Sequence, residues 1–323
     1  MKVFLTGGTG FIGSHTAERL IQRGDEVVAL VRTPSKADRM GALGCDLIPG
    51  DLADEDAIRA GMSDCQAVIH AAAMYEVGIP RSQHEAMYEA NVEGTRNVLT
   101  AALDLGIPRA VYVSTIGVFG DTRGEVLDET RESTRRFGTY YEETKYEAHQ
   151  VARELIGRGL PCIIVMPGVT YGPDDPSALG QLVDRFVAKR LPALPLPTLG
   201  GNYGHRDDIV SGILLALDKG RPGESYVLGG EIARQRDFVT KLAENLGRKP
   251  PPNLPTVLLK AFAPLGPVIG PLLDMPTNLS EAIASDGATF WATHEKAMRE
   301  LGYNPRGLDQ GVKDLLAARS AAG

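Results

Sequence analysis

The tightest constraint on what this chain can become is the stretch Thr6-Gly7-Gly8-Thr9-Gly10-Phe11-Ile12-Gly13. The apolar run Val3-Phe4-Leu5 comes just before it, and a helical pattern over residues 16–21 follows at once. That is a strand, a glycine turn and a helix in immediate succession. The order suits one kind of ligand. Gly7 can turn tightly off a strand, Gly10 lets a pyrophosphate approach the backbone, and Gly13 lets the helix pack closely on the strand. Thr9, Phe11 and Ile12 then stand where a helix N-terminus offers free N–H groups to phosphates. The spacing is G-x-x-G-x-x-G rather than G-x-G-x-x-G. Three glycines alone mean little, but in this setting they read as a dinucleotide site.

The bulk of the chain narrows the alternatives. Its 323 residues, 43% hydrophobic and 23% charged, suit one large or two modest globular domains. A net charge of −7 offers no basic field for nucleic acid. No apolar run is long enough for a membrane span. A cleavable leader would remove the glycine turn, so a cytoplasmic location is expected. Cys45, Cys65 and Cys162 are odd in number and flanked by apolar residues, which suggests buried free thiols. No cluster of His, Cys and carboxylates has metal-ligand spacing, so no metal is expected.

Through the first half, short apolar runs alternate with helical patterns. Strands are expected at residues 26–31, 46–49, 67–70, 110–114 and 162–166, the last stopped by Pro167, and helices at about 82–105 and 140–157. Continuous apolar strands separated by helices predict an α/β fold, a doubly wound parallel sheet. The small residues Ala71, Ala72 and Ala73 after the fourth strand would let a cofactor lie close. Residues 172–204, dense in Pro and Gly, read as loops and short elements over a cleft. A helix over 207–218 and a strand over 225–228 return to the sheet. A further helix covers 236–246, residues 250–275 suggest a substrate-side cap or an oligomer contact, and 295–301 and 308–316 are amphipathic. Residues 1–170, with 205–230 returning, are therefore expected to bind the dinucleotide. Residues 171–204 and 231–323 would form a smaller, mixed substrate-binding region.

Tyr141-Glu142-Glu143-Thr144-Lys145 is the sharpest chemical signal. Positions four apart share a helix face, so a phenol stands beside an ammonium, and only this one of ten tyrosines is followed by such a lysine. A neighbouring cation is expected to lower the phenol toward neutral pH. Lys145 could also reach a cofactor ribose. Ser114 and Thr115 close the fifth strand, at the edge where open α/β sheets bind ligands, and Thr115 can donate to a carbonyl oxygen. Asn91 is expected to hold backbone or cofactor.

With these residues in place, the chain resembles the extended short-chain dehydrogenases/reductases, the NAD-dependent epimerase/dehydratase family, over almost its whole length. The resemblance also rests on Gly50-Asp51-Leu52, His70 to Ala73, Pro167-Gly168-Val169-Thr170-Tyr171 and His205-Arg206-Asp207-Asp208. It implies a Rossmann fold. It also implies Tyr141 as proton donor or acceptor, Lys145 on the nicotinamide ribose, a substrate-polarising hydroxyl at Thr115 or Ser114, and Asp51 at the adenine. Leu52, Pro167 and Val169 fall in the same cofactor-lining motifs. The resemblance further implies a homodimer through the helices at 82–105 and 140–157; Val98, Leu99, Ala102 and Leu105 could supply one face, the alternative being a monomer that buries them under a loop.

Cofactor and reaction are read from departures. An acid at the end of strand two would favour NAD; here Arg32, Ser35 and Lys36 could surround a 2′-phosphate, so NADP(H) is expected, with NAD(H) as the alternative. Ile116-Gly117 stands where the sugar-nucleotide 4,6-dehydratases resemble one another in an Asp-Glu pair. Gly168-Val169 replaces a phosphate-holding Asn, and Leu191 to Pro197 suggests an apolar pocket. These lean toward the dihydroflavonol-reductase-like branch, acting on a ketone or aldehyde. A sugar or nucleotide-sugar epimerase, served by Arg81, Arg185, Lys189 or Arg206, is the second reading. A non-catalytic, cofactor-sensing protein is the third.

Overall fold

Val3, Phe4 and Leu5 are fully buried, so their strand is covered on both faces. The computed structural model describes residues 1–255, 257, 283 and 285–322. β1 (Lys2–Thr6) leads into α1 (Phe11–Gln22), β2 (Glu26–Val31), α2 (Asp38–Ala42), β3 (Asp46–Pro49), α3 (Glu55–Met62) and β4 (Ala67–His70). Next come α4 (His84–Tyr88), a π turn (Glu89–Glu93), α5 (Gly94–Asp104), β5 (Ala110–Val113) and α6 (Tyr140–Gly157). The chain continues through β6 (Cys162–Pro167), β7 (Val169–Tyr171), α7 (Ala178–Val187), β8 (Gly200–His205) and α8 (Arg206–Lys219). It then runs through β9 (Ser225–Leu228), β10 (Glu231–Arg234), α9 (Gln235–Asn245), α10 (Glu295–Leu301) and α11 (Leu308–Ala322).

Seven strands form one sheet in the order β3-β2-β1-β4-β5-β6-β9, every pairing parallel. Helices cover both faces. On one, Ile58, Val98, Leu99 and Ala148 pack with Phe4 and Tyr112; on the other, Ala17, Leu20, Ile209 and Ala297 pack with Leu5 and Val165. This is the doubly wound Rossmann architecture, and the strand order reverses between β1 and β4. A second sheet, β10-β8-β7, is mixed and has its own core of Tyr203, Phe238, Leu194 and Val312. Cys45, Cys65 and Cys162 are buried free thiols. Among the described residues no helix is long and apolar enough to cross a membrane.

Several elements differ from expectation. The strand expected over 162–166 takes in Pro167, which pairs with Leu228 at its last position, where no further N–H is needed. The stretch 172–204 holds α7 and most of β8. The strand Gly200-Gly201-Asn202-Tyr203-Gly204-His205 carries no β-branched residue, and it is a strand because β7 and β10 pair with it on both sides. Its glycines permit close packing: a Cβ on Gly201 would lie 2.5 Å from Val169 Cγ2. Within the Leu/Pro stretch, Leu194 faces the core and not a pocket. Leu194 is fully buried in the second core, and it exchanges backbone bonds with Pro252 and Leu254 at 2.8 Å each. Val98, Leu99 and Ala102 cannot supply a dimer face, because all three are fully buried in their own chain's core. Most of the cap expected over 250–275 lies outside the described residues.

Candidate active site

In a parallel sheet every strand delivers its following loop to the same edge, which gathers the expected site residues. Gly7 leaves β1 at φ +75°, and a Cβ there would sit 2.6 Å from Ala72 N, so the loops after β1 and β4 touch. A Cβ on Gly13 would sit 2.1 Å from Gly7 O, so α1 can approach the turn only without a side chain at that position. Gly10 is exposed and is the N-cap of α1, with no side chain bonded across it. The first intrahelical bond runs from Ser14 N–H to Gly10 O at 2.9 Å, so the N–H groups of Phe11, Ile12 and Gly13 precede the ladder. This bare, positively polarised end beside an exposed Thr9 fits a dinucleotide diphosphate.

Around it, Arg32 and Ser35 are exposed after β2; the side chain of Lys36 lies outside the described residues. Asp51 is exposed after β3 and its Oδ1 accepts from Ala53 N–H at 2.9 Å, while Leu52 is half-buried with its carbonyl held by Asn97. Ala71 and Ala72 are half-buried and Ala73 is exposed. Pro167 is buried at the end of β6, and half-buried Val169 opens β7. Arg206 is engaged: it donates to Pro173 O at 2.7 Å and to Asp207, and lies 5.3 Å over the Phe11 ring.

α6 carries Tyr141 and Lys145. Its start is fixed by Thr139 and Glu142: Thr139 Oγ1 accepts from Glu142 N–H at 3.2 Å, and Glu142 Oε2 accepts from Gly138 N–H at 2.9 Å. Lys145 is buried, and Nζ donates to Tyr112 OH and to Val113 O, both at 3.1 Å. Burial without a carboxylate partner brings its ammonium down to about 7. Tyr141 does not behave as the spacing predicts. Its phenol is raised well above its ordinary value, first by desolvation and then by the rings of Tyr75 and Tyr112 and by Glu142, while the Lys145 ammonium is turned to β5.

The two hydroxyls after β5 differ. Ser114 is buried and its Oγ pairs with His149 Nδ1 at 2.9 Å. Thr115 is half-buried; its Oγ1 accepts from Gly117 N–H at 3.1 Å, which leaves its own hydrogen to donate. Asn91, in the π turn, is spent inside the protein. It accepts from Met74 N–H at 2.7 Å and donates to Met74 O at 3.1 Å and to Thr144 Oγ1 at 3.0 Å, so it holds backbone rather than cofactor.

Tyr112, His149 and Tyr75 escaped sequence reasoning, and the partners of His70 were not foreseen. Tyr112 pairs in register with His70 and stacks on its ring at 5.6 Å. His70, fully buried, bridges Thr6 Oγ1 at 2.7 Å and Thr95 Oγ1 at 3.0 Å, and burial takes it down to about 3. His149 lies four residues beyond Lys145 on the face that carries Tyr141, a continuation of the same spacing that would have found it. Nothing in the sequence flagged Tyr75, whose ring meets that of Tyr141 edge to face at 4.9 Å.

Residues 3–229 match the family model described as the NAD dependent epimerase/dehydratase family. The chain is 34% identical, over 100% of its length and 98% of the relative's, to a 4-hydroxy-2-methyl-3-oxo-4-farnesyl-3,4-dihydroquinoline-1-oxide ketoreductase from Stigmatella aurantiaca. A protein from Synechocystis sp. provisionally named as a dihydroflavonol 4-reductase is 33% identical over 97% of this chain and 93% of its own. Among solved structures, that of gox2253 superposes with a TM-score of 0.84 at 33% identity, covering 99% of this chain and 98% of that one.

Proposed function

The chain belongs to the NAD dependent epimerase/dehydratase family, and from that premise we propose that it is an NADP(H)-dependent reductase of ketones or aldehydes. One observation carries the reading: half-buried Tyr141 stands one helical turn from Lys145 on the first turn of α6, its ring meeting that of Tyr75. A phenol is protonated at neutral pH, and an alkoxide forming beside it, the stronger base, can take that proton. Reduced nicotinamide, when bound, would supply hydride to a carbonyl carbon. The carbonyl oxygen takes the proton of Tyr141, so a C=O becomes CH–OH and the phenolate regains a proton from solvent. Thr115, whose hydrogen is free, is assigned to hold that oxygen; Ser114, turned to His149, is assigned to support. Lys145, at about 7, is poised to share a proton with the phenolate and to meet the ribose.

The two reductase relatives support the carbonyl substrate. The NADP(H) preference rests on exposed Arg32 and Ser35 after β2, where no carboxylate stands to meet a 2′-hydroxyl. The decisive experiment follows absorbance of reduced nicotinamide against a panel of ketones, aldehydes and nucleotide sugars. Steady NADPH consumption with one carbonyl class, lost by about 100-fold or more in Tyr141→Phe with NADPH affinity unchanged, is the expected result. Full turnover by Tyr141→Phe would refute it. A nucleotide sugar epimerised with cofactor retained would assign the epimerase reading.

A further inference from the structure

Among the described residues Tyr75 is the only aromatic among the exposed large hydrophobic side chains, at 59% exposure. An exposed aromatic ring on a loop is ordinarily a loose surface feature, but this one is fixed. Its neighbour Met74 is clamped through both backbone atoms by Asn91, and Asn91 donates in turn to Thr144 on α6. The element that carries Tyr141 therefore also positions the loop that carries Tyr75. The two rings meet edge to face, 4.9 Å apart and 86° to one another, and Tyr75 remains open to solvent. The Tyr75 phenol is raised above its ordinary value by desolvation, with Asp175 and Glu142 adding to the shift.

We propose that Tyr75 is a specificity-determining residue, the preorganised wall against which a flat, apolar ring of the substrate packs while its carbonyl meets Tyr141. The inference rests on the reductase reading and deepens it. Edge-to-face and offset-stacked rings gain beyond their buried area, and a wall already ordered loses little entropy when it is covered. A substrate without such a ring leaves Tyr75 open to water and gains nothing from it.

The test compares two cyclic ketones with NADPH: 1-tetralone, whose carbonyl is fused to a benzene ring, and cyclohexanone, the same ring without it. In Tyr75→Ala the ratio of kcat/KM for 1-tetralone to that for cyclohexanone is expected to fall about tenfold, through KM, while Tyr75→Phe keeps it. Since the side chain is exposed, an unchanged Tm for Tyr75→Ala checks that the fold is intact. A fall of less than about fivefold overturns the proposal. If the wild type reduces neither ketone, it is the reductase reading that fails. Calorimetric binding of 1-tetralone to the NADPH-loaded protein then decides. Binding at least about fivefold weaker in Tyr75→Ala supports the wall, and a smaller change, or no binding by the wild type, overturns it.

Discussion

Lys145→Met should change how stability depends on pH, in a way the structure fixes in sign and size. Lys145 is 2% exposed and its ammonium is lowered from 10.5 to about 7 by burial. Between those values the unfolded chain holds a proton that the folded chain does not, so stability rises with pH across that window. The whole shift corresponds to about 5 kcal/mol, and the part gained between pH 7 and pH 8.5 to about 1.5 kcal/mol. Methionine keeps the length and carries no charge. The assay is urea unfolding of both proteins at several pH values in this range. The buried thiols Cys65 and Cys162, pushed up to about 11 and about 12, affect both proteins alike and cancel in the difference. Wild-type stability minus that of Lys145→Met should therefore climb by about 1.5 kcal/mol from pH 7 to pH 8.5. A difference constant to within about 0.3 kcal/mol would refute the reasoning, since an ammonium in that pocket would then titrate as it does in water.

His149 and His70 share the acid side: burial lowers them from 6.5 to about 4 and about 3, so the unfolded chain takes up both protons first and stability is lost as pH falls below 6.5. Each should cost about 2 kcal/mol between pH 7 and pH 5, and His149→Gln should reduce the loss by about 2 kcal/mol in urea unfolding; an unchanged loss would assign it to other groups. At the cofactor site, Arg32→Asp should weaken NADPH at least about tenfold while sparing NADH, read as Kd by fluorescence titration. Equal Kd values for the two cofactors in the wild type would end the NADP(H) assignment.

The sheet was legible because each of its strands is a short apolar run between helical patterns, and the glycine turn named the edge where ligands bind. Spacing placed Tyr141 and Lys145 on one helix face. It did not show where the ammonium points. That is set by Tyr112 and the Val113 carbonyl, which lie on a strand some thirty residues earlier. The same limit hid β8, a strand made by its partners rather than by its own residues. It also hid the inward direction of Leu194, Val98 and Leu99, since an apolar residue on a helix or in a Pro-rich run reads alike whether it faces its own core or a partner. Tyr75 had no pattern to betray it, because its place follows from Asn91, which holds the backbone of Met74 beside it.

The pairing of β6 with β9 has a consequence for how the protein is made. Cys162 to Pro167 leaves the ribosome well before Ser225 to Leu228, and in between the chain builds β7, α7, β8 and α8. Until β9 arrives, β6 is the rim of the nascent sheet, an open row of N–H and C=O groups on an apolar strand. Synthesis that stalls or stops between the two strands leaves that rim uncovered, and the product should be drawn to other strands rather than to solution. The final strand thus acts as a seal, and the order of translation makes the catalytic half depend on residues beyond it.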